Sequence, residues 1–256
     1  TAHPPTHVDR LWLWLPRLSA CQEPRIALRS IRATTLTVLD VVGYGARARY
    51  SAVRHTLHRI PMSDPRRGLR QELRDRRRLI DAPRRIAGAA QLARQLLSLP
   101  FAPTHGHVAG YWAMDGEIAL NAWQLRLPTT VTYCLPVLAG EVLRFAPWRP
   151  GAALTSNRYG IPEPDIAIEA TLPAEAMDLV ATPLVGFDAQ GHRLGMGGGW
   201  YDRSFAFRRG QGPAPWLVGV GFSVQQVDHL VNEPWDVAVD AICTEATTLF
   251  PGTATA

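Results

Sequence analysis

The sequence predicts an α/β domain of three layers, with a central, mostly parallel sheet flanked by helices. Three observations predict it. Two helical stretches precede the strand-rich part of the chain. Short apolar runs then recur between turns marked by glycine and proline. One of them, Met177 to Phe187, is apolar without alternation, the pattern of a central strand covered on both faces. In such a fold the ligand lies at the carboxyl ends of the strands.

The elements follow in order. Residues 1–61 carry strand-like pieces such as "TTLTVLDVV" between arginine- and proline-rich text, and no helical period lasts more than two turns. Their charge balance is +6, against −1 for residues 62–256. The character of the chain changes at Met62, so the domain is placed at 62–256. Residues 1–61 are expected to be a poorly structured extension, with Met62 as the natural start. Ser63 and Asp64 are N-cap types, and Pro65 suits a first helical position. Leu69, Leu73, Leu79 and Ile80 then keep a roughly helical spacing. Pro83 opens a second helix with Ile86, Ala90, Ala93 and Leu97 on one face.

After Pro100 come strands at His107 to Ala113, Thr130 to Val137 and Val142 to Trp148. A loop at Ser156 to Pro164 is held by Gly160, Pro162 and Pro164. The long apolar strand at Met177 to Phe187 leads through "FDAQGHR" into "RLGMGGGWYDR". A short helix is expected over Tyr201 to Phe207. Trp216 to Phe222 and Asp240 to Thr244 are the last strands.

Composition limits the function classes. The chain has 256 residues and is 46% apolar, enough for a real core. No apolar run approaches the ~18 residues that a bilayer span needs. All 27 basic side chains are arginine, so no lysine can act as nucleophile or phosphate clamp. Cys21, Cys134 and Cys243 lie far apart without metal spacing and read as free thiols of a cytoplasmic protein. The eight histidines show no zinc spacing, and His192 reads as exposed.

The glycine run needs a reason, because glycine loses more entropy on folding than any other residue. It follows the most strand-like segment and precedes a helix. Exposed N–H groups at a helix start suit phosphate. Arg193 and Arg203 flank it, and Asp202 adds a candidate magnesium ligand. The run fits neither the Walker pattern nor a dinucleotide fingerprint.

"PLVGFDAQGHRLGMGGGWYDR" closely resembles the signature of the 5-formyltetrahydrofolate cyclo-ligase (methenyltetrahydrofolate synthetase) family. "RRGLRQELRDRRR", "GYWAMDGEI", "NRYGIPEP" and "VNEPWDVAVDAICTE" resemble further family segments in the same order, covering about Met62 to Leu249. The resemblance implies an architecture like that of the NagB, ribose-phosphate isomerase and CoA-transferase folds. It implies conversion of 5-formyltetrahydrofolate to 5,10-methenyltetrahydrofolate with ATP and Mg2+, releasing ADP and phosphate.

Position by position, the resemblance assigns Arg193, Leu194, Gly195, Met196, Gly197, Gly198, Gly199, Trp200 and Tyr201 to the triphosphate. Of these, Arg193, Gly197, Gly198 and Tyr201 stand nearest the chemistry. Arg66, Arg67, Gly68, Leu69 and Arg70 form an N-terminal phosphate-binding segment, with Arg66 where the family usually has lysine. Arg158 is a further phosphate candidate. Trp112, Glu117 and Met196 to Trp200 are assigned to the folate, and Trp200 stands where tyrosine or phenylalanine is common. Asp202 and Asp236 are assigned to magnesium; the alternative for Asp202 is a helix N-cap. The implied enzyme is a monomer that binds neither nucleic acid nor membrane. Two other readings stay open on the residues alone: another nucleotide- or phosphosugar-binding enzyme on a similar scaffold, and a nucleic-acid-binding module using the basic front end.

Overall fold

The computed structural model describes residues 66–252. The extension before Met62, the cap expected at Ser63 and Asp64, and Pro65 lie outside the described residues. Helix α1 spans Arg67–Arg78 and buries Leu73 and Arg77, one turn apart on the same face. Leu79, expected on that face, is 86% exposed, because the helix ends at Arg78 and the chain turns there.

Helix α2 spans Ala82–Leu97. Asp81 is its N-cap, accepting from the Arg84 N–H at 2.8 Å, and Pro83 sits in the first turn where no N–H is needed. Its buried face is Gly88, Leu92, Ala93 and Leu96. Ile86 is 74% exposed, contrary to the sequence expectation. It lies two residues from Gly88, which is about 200° around the helix from the buried stripe. Fully burying a leucine stabilises by about 1.5–3 kcal/mol, more than the ~1 kcal/mol that a mid-helix glycine costs, so packing decides which face turns inward.

Strand β1 spans Gly106–Ala109, helix α3 Asn121–Gln124, β2 Val131–Ala139 and β3 Val142–Pro147. Strands β4 (Leu154–Ser156) and β5 (Pro162–Pro164) form a separate antiparallel pair that flanks and closes the predicted loop. Then come β6 (Leu179–Pro183), β7 (Gly186–Phe187), β8 (Arg193–Leu194), α4 (Trp200–Ser204), β9 (Trp216–Val220), β10 (Ala241–Cys243) and β11 (Thr248–Leu249). The main sheet has seven strands in the order β11-β10-β9-β6-β1-β2-β3. β10, β9, β6, β1 and β2 run parallel, and an antiparallel strand closes each edge.

Alternate residues of β6 face opposite layers, as the two-residue strand period requires. Leu179 and Ala181 join a core with Leu92, Leu96, Trp123, Leu135 and Val218 under α2 and α3. Val180 joins the other core, with Ala109, Phe187, Phe205, Leu217 and Ile242. The run from Met177 to Phe187 is therefore a central strand, but only as far as Pro183. Beyond it the chain leaves the sheet, and Gly186–Phe187 pairs with Arg193–Leu194 in an antiparallel hairpin. The helix expected over Tyr201 to Phe207 is shorter: α4 ends at Ser204 and a 3-10 turn follows at Ala206–Arg208. Cys134 and Cys243 are free and buried; burial pushes the Cys134 thiol up to about 12 and the Cys243 thiol to about 11, which keeps both protonated.

Chain order sets the position of the site. β2 lies on one side of β1 and β6 on the other, so the connections diverge at the carboxyl ends of β1 and β6. A crevice opens at such a divergence, because the two crossovers cover different parts of the sheet.

Candidate functional site

A cavity of about 580 Å³ lies at that divergence. Tyr111 and Trp112, just beyond β1, and Pro183 to Val185, at the end of β6, form its floor. Arg66 and Arg70 of the α1 end, Arg193, and the whole run Gly195 to Asp202 line it, as do Glu117, Glu233, Trp235 and Asp236. Among the described residues the lining holds no serine, threonine, cysteine, histidine or lysine. The wall is built of arginines, backbone, aromatic and aliphatic side chains, carboxylates and Asn157.

The loop conformation explains two of the glycines. Gly197 has φ +92° and Gly199 φ +65°, left-handed values that a side chain would strain. Gly199 is also the N-cap residue of α4. Asp202 is thus not the N-cap; it stands in the first helical turn. The loop is tied to its surroundings by arginines. Arg70 Nε donates to Gly195 O at 2.8 Å, and Arg203 donates to Gly198 O at 2.8 Å. The Trp200 ring lies between the Arg158 and Arg203 guanidinium groups, at 5.1 and 5.0 Å from its centroid.

The two candidate metal ligands are each anchored through one oxygen. Asp202 Oδ1 accepts from Arg193 at 2.5 Å and from the Val237 N–H at 3.1 Å. Asp236 Oδ2 accepts from Arg66 and from the Glu233 N–H, both at 3.0 Å. Among the described residues, the second oxygen of each makes no hydrogen bond. Two carboxylates so presented at an arginine-lined cavity are the hard oxygen donors that Mg2+ takes, so the residues fit that ion.

Glu117 is the third carboxylate. Burial pushes it above the usual range, against the opposing pull of the Met114 N–H and the Arg77 charge. Its Oε2 accepts from Met114 N at 3.0 Å, and its Oε1 lies 3.8 Å from Arg77. The Tyr111 and Tyr201 hydroxyls are pushed up by burial and remain donors; Tyr111 donates to Ile118 O at 2.7 Å.

Of the residues singled out from the sequence, the cavity gathers Arg66, Arg70, Trp112, Glu117, Arg193, Gly195 to Trp200, Tyr201, Asp202 and Asp236. Arg67, Gly68, Leu69, Leu194 and Arg158 are not in its wall. Leu69 and Leu194 pack instead with Leu73, Val185 and Leu230, and Arg158 reaches the site through the Tyr159 and Trp200 rings. The sequence reading missed Arg77. It is 0% exposed and donates to the backbone oxygens of Asp115 (2.9 Å) and Leu184 (3.4 Å), joining the turn that follows β1 to the end of β6. It stands between Arg76 and Arg78, which are exposed, and nothing local sets it apart from them.

The family model for the 5-formyltetrahydrofolate cyclo-ligase family matches residues 62–245. The chain belongs to the 5-formyltetrahydrofolate cyclo-ligase family. It is a ligase family. The 5-formyltetrahydrofolate cyclo-ligase of Haemophilus influenzae is 34% identical over 177 residues, covering 67% of this chain and 93% of that protein. The Escherichia coli K12 protein of the same name is 32% identical over 67% of this chain and 96% of its own. Among solved structures, the Aquifex aeolicus 5,10-methenyltetrahydrofolate synthetase superposes with a TM-score of 0.63 at 27% identity, covering 74% of this chain and 94% of that one. The Mycoplasma pneumoniae synthetase shares the fold, with a TM-score of 0.53 at 20% identity over 71% of this chain and 99% of that one. Cyclo-ligase membership and the cavity agree in place, since the glycine signature forms part of the cavity wall.

Proposed function

We propose that this chain closes 5-formyltetrahydrofolate to 5,10-methenyltetrahydrofolate, using ATP and Mg2+ and releasing ADP and phosphate. The observation that carries the reading is the single cavity in which the loop Gly195 to Gly199, Arg66, Arg70 and Arg193, and the carboxylates of Asp202, Asp236 and Glu117 meet.

A formamide oxygen is a poor leaving group. Transfer of the γ-phosphoryl to it makes an imino-phosphate, N10 attacks the activated carbon, and phosphate departs. That chemistry asks for alignment and charge stabilisation rather than a protein nucleophile. In this reading Arg66, Arg70 and Arg193 balance the triphosphate charge. Residues Gly195 to Gly199 let phosphate and formyl group approach the backbone. Trp112 and Trp200 cover the folate rings, and Glu117 accepts from the pterin N–H groups. Tyr201 keeps its proton and can donate. Asp202 and Asp236 would hold Mg2+, which supplies charge neutralisation at the phosphates. Arg158 acts by holding Trp200.

The reading includes a cytoplasmic monomer that binds no nucleic acid. Among the described residues no helix is long and apolar enough to cross a membrane. The test is the methenyltetrahydrofolate absorbance with ATP, Mg2+ and 5-formyltetrahydrofolate, followed together with ADP release. Product that forms without ATP would sink the phosphorylation route. ADP release indifferent to the folate would point to another nucleotide-using enzyme.

A further inference from the structure

One cluster of metal-ligand side chains lies outside the cavity: Asp188, His192 and His229, with one donor atom from each inside a 4.8 Å group. Asp188 follows β7, His192 precedes β8, and His229 comes from the segment after β9. That segment is tied alongside β7, where the Val227 N–H donates to Phe187 O at 2.9 Å.

Asp188 is fully buried, yet its Oδ2 faces two imidazoles. His192 Nδ1 is 2.9 Å from it and His229 Nδ1 3.9 Å. A tetrahedral zinc ion about 2.0–2.1 Å from each ligand holds neighbouring donors about 3.3 Å apart, and the two distances bracket that value. The carboxylate is fixed before any ion arrives. Its Oδ1 accepts from the Gln190 and His192 N–H groups, and its Oδ2 from the Leu230 N–H at 2.9 Å. His229 is mostly exposed, which leaves a way in from solvent. The two imidazoles sit edge to face, with centroids 6.3 Å apart.

We propose that Asp188, His192 and His229 form a binding site for a zinc-class divalent ion, distinct from the magnesium carboxylates. Two imidazoles and one carboxylate select zinc, nickel, cobalt or copper over magnesium, which prefers oxygen alone. The ion would clip the β7–β8 hairpin to the following segment. Arg193, the neighbour of His192, enters the cavity from that hairpin, so the clip would steady its approach. The inference rests on these three side chains and not on the folate reaction.

The experiment is calorimetric titration of the full chain with Zn2+ in excess Mg2+, with thermal melting in parallel. One tight equivalent per chain is expected, and it raises the melting temperature, because an ion that binds only the folded state stabilises it. His229→Ala, at an exposed position, should weaken binding about tenfold or more and cancel the melting shift. His192→Ala should do the same, and His105→Ala, remote from the cluster in sequence and exposed, should not. No tight equivalent, binding that survives His229→Ala, or an equal loss in His105→Ala would each overturn the site.

Discussion

The Arg193 guanidinium is bonded to the Asp202 carboxylate at 2.5 Å, and both side chains are largely buried at the glycine loop. The pair joins the first residue of β8 to the first turn of α4. It therefore fixes the two ends of the loop relative to each other. Asp202→Asn keeps the shape but removes the charge that holds Arg193 and would face Mg2+. Turnover is expected to fall about 10²-fold or more, as for loss of an interaction made in the transition state. Near-normal rates at limiting Mg2+ would remove Asp202 from the metal site.

Gly198→Val is expected to abolish turnover while leaving the melting temperature nearly unchanged. A Cβ at Gly198 would lie 2.9 Å from the Trp200 ring, and a branched side chain would also enter the cavity. The loop is exposed at this point, so the fold has little to lose. Melting and nucleotide affinity measured together decide: normal affinity and rate in the variant would make the loop a mere turn.

Glu117→Gln is expected to weaken folate binding more than ATP binding. It also carries a pH signature. Glu117 has its folded pKa raised above 4.5, chiefly by burial, so the native state holds this proton more tightly than the unfolded chain. Its contribution to stability is present below 4.5 and is lost as pH rises through the folded pKa. The wild-type stability minus that of Glu117→Gln should therefore fall with rising pH above 4.5. A flat difference, from denaturant melts across that range, would contradict the burial of this carboxyl.

Arg77→Leu is expected to destabilise the domain by about 1–3 kcal/mol, the cost of leaving the backbone acceptors that it bonds short of a donor, since Asp115 keeps Arg74 and Arg78 as partners. The guanidinium is fully buried, and it meets Asp115 Oδ2 at 3.2 Å as well as the two backbone oxygens. Asp115 also accepts from Arg74 (2.7 Å) and Arg78. Burial pushes its carboxyl up, but these arginines outweigh the effect and hold it below its usual range. A denaturant midpoint unchanged in Arg77→Leu would show that the turn after β1 and the end of β6 need no bridge.

By itself the sequence determined the layers, the order of the two long helices and the main strands, and the family. Apolar runs mark the strands because a strand covered on both faces needs apolar residues throughout, and this is visible locally in Val180 and Ala181. The glycine signature was legible for the same reason: a backbone that must take φ +92° at Gly197 restricts the residue type at that position. Tertiary structure alone decided the rest. The faces of the helices depended on where the sheet lay, so Ile86 turned out and Gly88 turned in. The end of β6 at Pro183 depended on the competing hairpin with β8. Arg77 could not be told from its exposed neighbours, because its partners are backbone oxygens of Asp115 and Leu184, whose positions no local pattern encodes. Asp188, His192 and His229 formed no motif, since the third residue arrives from a distant segment through pairing beside β7. Local chemistry is written in residue types and spacings, whereas long-range contacts exist only after the chain has closed its loops and buried its core.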